Sequence, residues 1–403
     1  MQLVEKHIIT KYHTFFTECD RVCYLSKNLY NAALYEIRQA FFKDHNYLNY
    51  NSIEKLLQQG TDYKALPAKV AQQTLRVLDK NFISFFNALK TYQTQPEKFL
   101  ARPKLTQYKD KVKGRNIAIY TIQAISSKEL KKGIVKLSGT SIELSTKVSP
   151  SDICQVRIIP NSIYYTIEVV YEVPQVMPLA DNGRMASIDI GLNNLATLTT
   201  NTDIKPLIIN GKPLKSINQY YNKNKAKLQL YVGDKGKSKR LAALTHKRNN
   251  KVNNYLHNAS RFVVNQLVSN HITTLVIGKN DQWKQDINIG KRNNQNFVNI
   301  PHATFIKQLE YKCQLVGISV KLQEESYTSK CSFLDNEPIK KHDIYQGKRI
   351  KRGLFRAANG TLINADQNGS LNILRKAFPH AFADGIQGVV VRPIRVNPYK
   401  IAV

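Results

Sequence analysis

Hydrophobic and polar positions follow two periods along this chain, and the places where one period gives way to the other divide it. Over residues 15–42 the apolar positions Val22, Leu25, Leu29, Ala33, Ile37 and Phe41 fall on one helical face. A second stripe, Val70, Thr74, Val77, Leu78, Phe82, Phe85 and Leu89, predicts a helix over residues 67–90, with Pro67 suited to its first turn. The two read as one bundle behind a short strand at residues 1–9. From Arg102 onward the pattern becomes alternating: GIVKLSGTSIELSTKV, DICQVRIIP and SIYYTIEVVYEV read as hairpins of a small β domain. Residues 174–183, with Pro178 and Asn182, read as a linker.

Beyond that linker lies MASIDIGLNNLATLTT, in which Ala186, Ile188 and Ile190 alternate with Ser187 and Asp189. This predicts a strand with unlike faces, a turn over residues 191–194 and an antiparallel partner over residues 195–200. A further strand is expected within residues 205–214 and a long polar helical segment over residues 217–270. Strands at 273–277 and 317–325 then flank a helix at 301–316, and a last helix carries Leu371, Ile373 and Leu374. The order β, β, β, α, β, α, β with a final helix is that of an RNase H-like mixed sheet with helices on its faces.

Charge changes the picture next. In 403 residues, 60 Lys and Arg stand against 29 Asp and Glu, a formal net charge of +31. Such a chain repels itself when compact unless it binds a polyanion, and nucleic acid is the natural one. No apolar window is long enough to span a membrane, and no signal-peptide pattern is expected at the start. Cys19, Cys23, Cys154, Cys313 and Cys331 are scattered and odd in number, which fits a reducing compartment without a disulfide framework. The stretch with Lys104, Lys109, Lys111, Lys113 and Arg115 suits a phosphate backbone or an ordinary basic loop equally well. Lys247 and Arg248, in the basic part of the long helical segment, face the same choice between nucleic acid and solvent.

Two acids stand out. Asp189 sits in mid-strand among apolar residues, where its charge needs compensation by a divalent cation; the alternative is an acid capping a turn. Asp366, in INADQNGSLNILRKA, begins a helix and either caps it or joins Asp189 at a shared metal.

The stretches SIDIGLNNLATLTTN, LVIGKNDQWKQ, ESYTSKCSFLD and NADQNGSLNILRK, in this order, resemble the TnpB proteins, the OrfB-type transposase-associated proteins of bacterial insertion sequences. CYLSKNLYNAALYEIRQAFF and FLARPKLTQYKDK are similar too, so the resemblance covers nearly the whole chain. It implies an α/β RNase H-like (RuvC) nuclease core over residues 181–403, related to type V CRISPR effectors. It also implies a wedge-like β-barrel over residues 1–10 and 101–180, interrupted by a helical recognition lobe at 11–100. The expected activity is RNA-guided DNA cleavage by two-metal-ion hydrolysis with Mg²⁺ or Mn²⁺. The expected partners are a guide RNA from the transposon end and double-stranded target DNA, in the cytoplasm of a bacterium or archaeon near its nucleoid. Two rivals are an RNA-guided DNA binder that does not cut and a transposase acting on transposon ends.

Carried over residue by residue, the family's first and last catalytic acids fall on Asp189 and Asp366. The second falls on Gly278, where most relatives have Glu, so the chain is disarmed or the acid has moved. Alternation places Glu325 with Ser319, Lys321 and Gln323 and places Glu324 on the opposite face, and Glu325 is the expected replacement. Lys279, Asn280 and Lys284 follow the vacated position and are expected to bind nucleic acid, with Lys284 or Asn280 positioning the scissile phosphate. Trp283 there either packs under the loop or stacks on a base. Relatives often carry two CxxC pairs between the last two acids. Only Cys331 and His342 stand in this insert, residues 327–362, so no structural zinc is expected. The insert is expected to form a short two-part hairpin, with Lys348, Arg349, Lys351 and Arg352 gripping a phosphate backbone or lying in a solvated turn.

Overall fold

The structure, a computed structural model, describes residues 1–43, 45–280, 300–383 and 392–398. Its contacts fall into two units, Met1–Pro174 and Gln175–Val403. In the first, strand β1 (Gln2–Thr10) leads into helices α1 (Phe16–Lys43), α2 (Tyr50–Leu57), α3 (Thr61–Lys64) and α4 (Ala68–Thr94). Then come β2 (Ala118–Thr121), α5 (Ser127–Leu130), β3 (Ile134–Lys136), β4 (Glu143–Ser145), β5 (Ile153–Pro160) and β6 (Tyr164–Glu172).

Where a barrel is expected, the described strands make an antiparallel sheet in the order β1-β6-β5-β2 and a β3-β4 hairpin, joined to the segment after β2 by the Ile125–Leu137 bridge. The physical reason lies in what covers the apolar face. Val22 and Leu34 of α1 and Leu75 and Leu78 of α4 share one core with Tyr120, Val156, Ile158 and Ile167 of the sheet. The helices thus bury the face that a barrel would bury by closing on itself. The basic segment before β2 docks on α1 through its backbone: Lys27 Nζ donates to the Lys111 carbonyl at 2.7 Å, and Asn31 bonds both polar groups of Lys109. Arg115 meets Asp20 at 2.8 Å.

In the second unit, β7 (Met185–Ile190), β8 (Asn194–Thr200) and β9 (Leu207–Asn210) form an antiparallel meander. Helices α6 (Lys212–Val232) and α7 (Lys239–Ser269) follow, then β10 (Thr274–Gly278), α8 (His302–Gln314) and β11 (Ser319–Gln323). The chain continues through β12 (Lys348–Lys351), β13 (Leu354–Arg356), β14 (Leu362–Asn364), α9 (Ala365–Ala377) and β15 (Ile394–Val396). The main sheet runs β11-β10-β7-β8-β9-β15, with β10 parallel to both β7 and β11. This is the mixed sheet that the element order predicts. Strand β15, which pairs in parallel with β9, is not evident in the sequence pattern.

Two expectations are corrected and a third is extended. The helical segment expected over residues 217–270 is two helices, because Gly233 at φ 74° ends α6 and the Ser238 hydroxyl caps α7. The insert holds the hairpin β12-β13, which β14, beginning at the insert's last residue, extends to a three-stranded sheet. Strand β11 ends at Gln323, so Glu324 and Glu325 leave the pleat.

Each face of the main sheet has its own partner. Ala186, Ile188 and Ile190 of β7, with Leu275 and Ile277 of β10, pack against Tyr255, Leu256 and Val263 of α7 and Phe305 and Leu309 of α8. Ser187 and Asp189 point the other way, toward α9. There Ser187, Thr199 and Ser370 form a buried hydroxyl cluster, with Ser187 Oγ donating to the Ser370 carbonyl at 2.7 Å. Small residues at 369 and 370 let α9 lie close to the strand: a Cβ on Gly369 would stand 3.0 Å from Asp189 Oδ2. Among the described residues, no helix is long and apolar enough to cross a membrane.

Candidate metal centre

Asp189 pairs across the sheet with Thr197, so both side chains rise on the α9 face. Part of its edge stays open. Desolvation nevertheless pushes its carboxyl well above the usual range; repulsion from Glu325 and Asp366 adds to this, and Arg349 opposes it. Asp189 is therefore near enough to both other acids to feel their charge.

Asp366 lies in the first turn of α9 without being its cap. Asn364 is the cap, accepting from the N–H groups of Asp366 and Gln367 at 3.0 and 3.1 Å. The Asp366 carboxylate is thereby left to the sheet: Asn194 Nδ2 donates to Oδ2 at 2.5 Å and Arg349 donates to Oδ1 at 3.4 Å. Asn194, which the sequence presents only as turn chemistry, thus holds a site acid.

Glu325 and Glu324 separate sharply. Glu324 is exposed, bonded to Lys376 Nζ at 2.6 Å and to the Ser326 N–H at 2.7 Å. The Glu325 side chain turns inward. Its Oε1 is buried without a hydrogen-bond partner, and burial, with the Glu324 charge adding to it, lifts its carboxyl to about 7. A Cβ built on Gly278 would stand 2.4 Å from Glu325 Oε1 and 2.6 Å from Ile373 Cδ1. Gly278 ends β10 on the same face as Val276, one residue past the Ile277–Ile188 pair with β7. The Glu325 carboxylate therefore occupies the space that a side chain at 278 would take, in the strand next to Asp189. Asn280 secures it: its Oδ1 accepts from the Glu325 N–H at 3.0 Å and its Nδ2 donates to Oε2 at 3.4 Å. Asn280, expected to meet a phosphate, is thus shown holding Glu325.

A buried carboxylate oxygen with no partner and two further carboxylates, with no soft ligand joining them among the described residues, form a donor set suited to Mg²⁺ or Mn²⁺. As placed, the acids do not close on one point: among the described residues no group of three or more His, Cys, Asp or Glu side chains stands within reach of a single ion. Asp366 is drawn instead to Asn194 and Arg349.

The other candidates are spread more widely. Arg349 belongs to the fully exposed strand β12 with Lys348 and Lys351, and Arg352 follows in the turn. Lys279 extends β10, its N–H donating to the Gln323 carbonyl at 2.8 Å. Lys247 and Arg248 lie on α7 beside α6. Lys284 and Trp283 lie outside the described residues. Cys331 Sγ points at the carbonyls of Pro338 and Lys340, and His342 Nε2 meets the Pro338 carbonyl at 2.7 Å. A carboxylate ties this insert together: Glu337 accepts from the N–H groups of Ser332 at 2.6 Å and Gln346 at 3.0 Å.

Comparison with known proteins agrees with this layout. Residues 168–284 match the OrfB_IS605 family, described as a probable transposase, and residues 302–373 match the Cas12f1-like TNB domain. Over 226 residues the chain is 25% identical to the TnpB-like protein ORF457 of Acidianus two-tailed virus; the match takes in 53% of this chain and 44% of that protein. Together these matches support a TnpB family protein. The chain matches less than half the length of that curated relative. A cryo-EM structure of a Cas12f1–sgRNA–target DNA complex superposes with a TM-score of 0.53 at 14% identity, over 88% of this chain and 81% of that one. At that identity the likeness shows the fold, a RuvC-like nuclease fold of mixed α/β content. A CRISPR–Cas12f ternary complex gives a TM-score of 0.37 at 15% identity, over 88% of this chain and 80% of that one.

Proposed function

We propose that this TnpB-family protein is an RNA-guided DNA endonuclease whose metal-binding carboxylates are Asp189, Glu325 and Asp366. The observation that carries the reading is the Glu325 oxygen standing 2.4 Å from where a Cβ on Gly278 would lie. An acid absent from the end of β10 is supplied from just past the end of the neighbouring β11, strands of one sheet lying about 4.8 Å apart. Bound Mg²⁺ or Mn²⁺ would activate the attacking water and stabilise the leaving oxygen of the phosphodiester. The protein's own residues do the rest. Asn280 fixes the Glu325 rotamer, Asn194 holds one oxygen of Asp366, and Gly369 lets Asp189 approach α9. Arg349, whose side chain is half exposed beside Asp366, is placed to exchange that carboxylate for an entering phosphate. A guide RNA would supply sequence recognition, leaving the protein to bind by charge and shape, as its +31 net charge allows.

The acids' failure to gather within reach of one ion favours a second reading, RNA-guided binding without cleavage. The deciding experiment incubates the protein, its element's RNA and matched double-stranded DNA with Mg²⁺, beside Asp189→Ala and Glu325→Ala. Cleavage by wild type alone supports the three-acid site. Normal cleavage by Glu325→Ala overturns the relocation, and guided binding without cleavage by wild type establishes the second reading. Activity on transposon-end DNA without RNA would show a transposase instead.

A further inference from the structure

Helices α6 and α7 enclose a groove of ≈ 240 Å³ whose walls are unlike those of the acid cluster. Ile217 and Leu244, both half-buried, line it together with Tyr221. The Tyr221 ring is pinned, since its hydroxyl and Thr245 Oγ1 lie 3.2 Å apart and Thr245 in turn bonds the Leu241 carbonyl. Arg248 sits beside that ring, its guanidinium carbon 5.8 Å from the centroid. The buried Asn218 holds Arg248 Nε at 2.8 Å, and Asn249 takes Nη1 at 3.0 Å. Lys247 and Lys251, exposed and one helical turn apart, stand at the mouth.

We infer that this groove is a binding site for one unpaired nucleotide of a single-stranded nucleic acid, with its base against Tyr221 and Arg248 and its phosphates on Lys247 and Lys251. The volume lies below the roughly 300–1,000 Å³ of drug-sized ligand sites, which suits a single planar ring system. A pinned aromatic face beside a fixed guanidinium gives any base a stacking platform without reading its edge. Charge selects the polymer: between Lys212 and Lys251 there are 12 Lys and Arg and a single acid, Asp234. An apolar peptide or a lipid tail has no use for that excess, whereas a phosphate chain does. The site depends on the nucleic-acid-binding part of the function proposed above and not on cleavage.

The test uses the full chain carrying Asp189→Ala, without divalent metal, so that cutting does not enter. Binding of single-stranded RNA and DNA is measured for ordinary strands and for strands of the same length lacking bases, with and without Tyr221→Leu. Tyr221→Leu is expected to weaken the ordinary strand about tenfold, the scale of one base–aromatic stack, and to leave the baseless strand unchanged. The coupling between ring and bases isolates stacking from charge. Tyr221→Phe, which keeps the ring, should bind like wild type and guards against mere loss of folding. Replacing Lys247 and Lys251 together by Ala should weaken both strands and flatten the salt dependence. The stronger of the RNA and DNA couplings names the natural source. Equal binding of the ordinary strand by wild type and Tyr221→Leu would overturn the site, as would equal losses on ordinary and baseless strands.

Discussion

Replacing Glu325 by Gln keeps its shape and removes its charge, and the effect on stability should run opposite to the effect on chemistry. Burial first, and then the Glu324 charge, raise this carboxyl from 4.5 to about 7. A value raised in the folded state means that the folded protein holds the proton more tightly than the unfolded chain does. The ionised carboxylate therefore costs nothing below the unfolded value, and its full cost is present once pH has risen through about 7. The interval between the two values corresponds to at most about 3 kcal/mol. For a unit of this size that is on the order of 6–12 °C in Tm. With a chelator at pH 8, Glu325→Gln should melt above wild type by up to that amount, and at pH 5 the two should nearly coincide. Thermal melts at both pH values, repeated with Mg²⁺, supply the assay. Mg²⁺ should raise the wild-type Tm, because it compensates the buried charge, and should do little for Gln. Equal melting at pH 8 in chelator, or equal stabilisation by Mg²⁺, would refute the picture of a buried carboxylate placed for a metal.

Gly278→Ala should cut cleavage at least tenfold while lowering stability by about 1–3 kcal/mol, because its Cβ displaces the Glu325 carboxylate and the Ile373 tip; guided cleavage and thermal melts measure the two effects. Asn364→Ala removes the cap of α9 and should cost about 1 kcal/mol in a denaturant melt, with a loss of cleavage beyond that as Asp366 loses its register. Glu337→Gln should destabilise the insert by about 1–3 kcal/mol through the loss of two charge-assisted bonds, seen as faster hydrogen exchange at Ser332 and Gln346.

Much of the fold was legible because periodicity reports which faces are buried. The stripes at Val22 and Val70 fell on real helices, α1 and α4, and the strand pattern around Asp189 on β7. The break between α6 and α7 was harder to see, since a polar stretch with helical composition on both sides hides a single left-handed glycine. Among the acids, alternation favoured Glu325 over Glu324, yet the strand ends before either. What separates them in the structure is Lys376 drawing one outward and Asn280 holding the other inward.

The sequence by itself determined the order of elements, the basic character of the chain and the identity of Asp189 and Asp366 as acids in unusual company. These are local properties, set by spacing along the chain and by charge count. Only the tertiary structure decided that Asn364 and not Asp366 caps α9, that Asn194 and Arg349 take hold of Asp366, and that Glu325 fills the space above Gly278. The cap is a local choice between two neighbouring residues that both suit it, whereas the last two join residues separated in sequence whose meeting depends on how the α9 face packs on the sheet. That packing depends on the close approach allowed at Gly369 and Ser370, which no period in the sequence encodes.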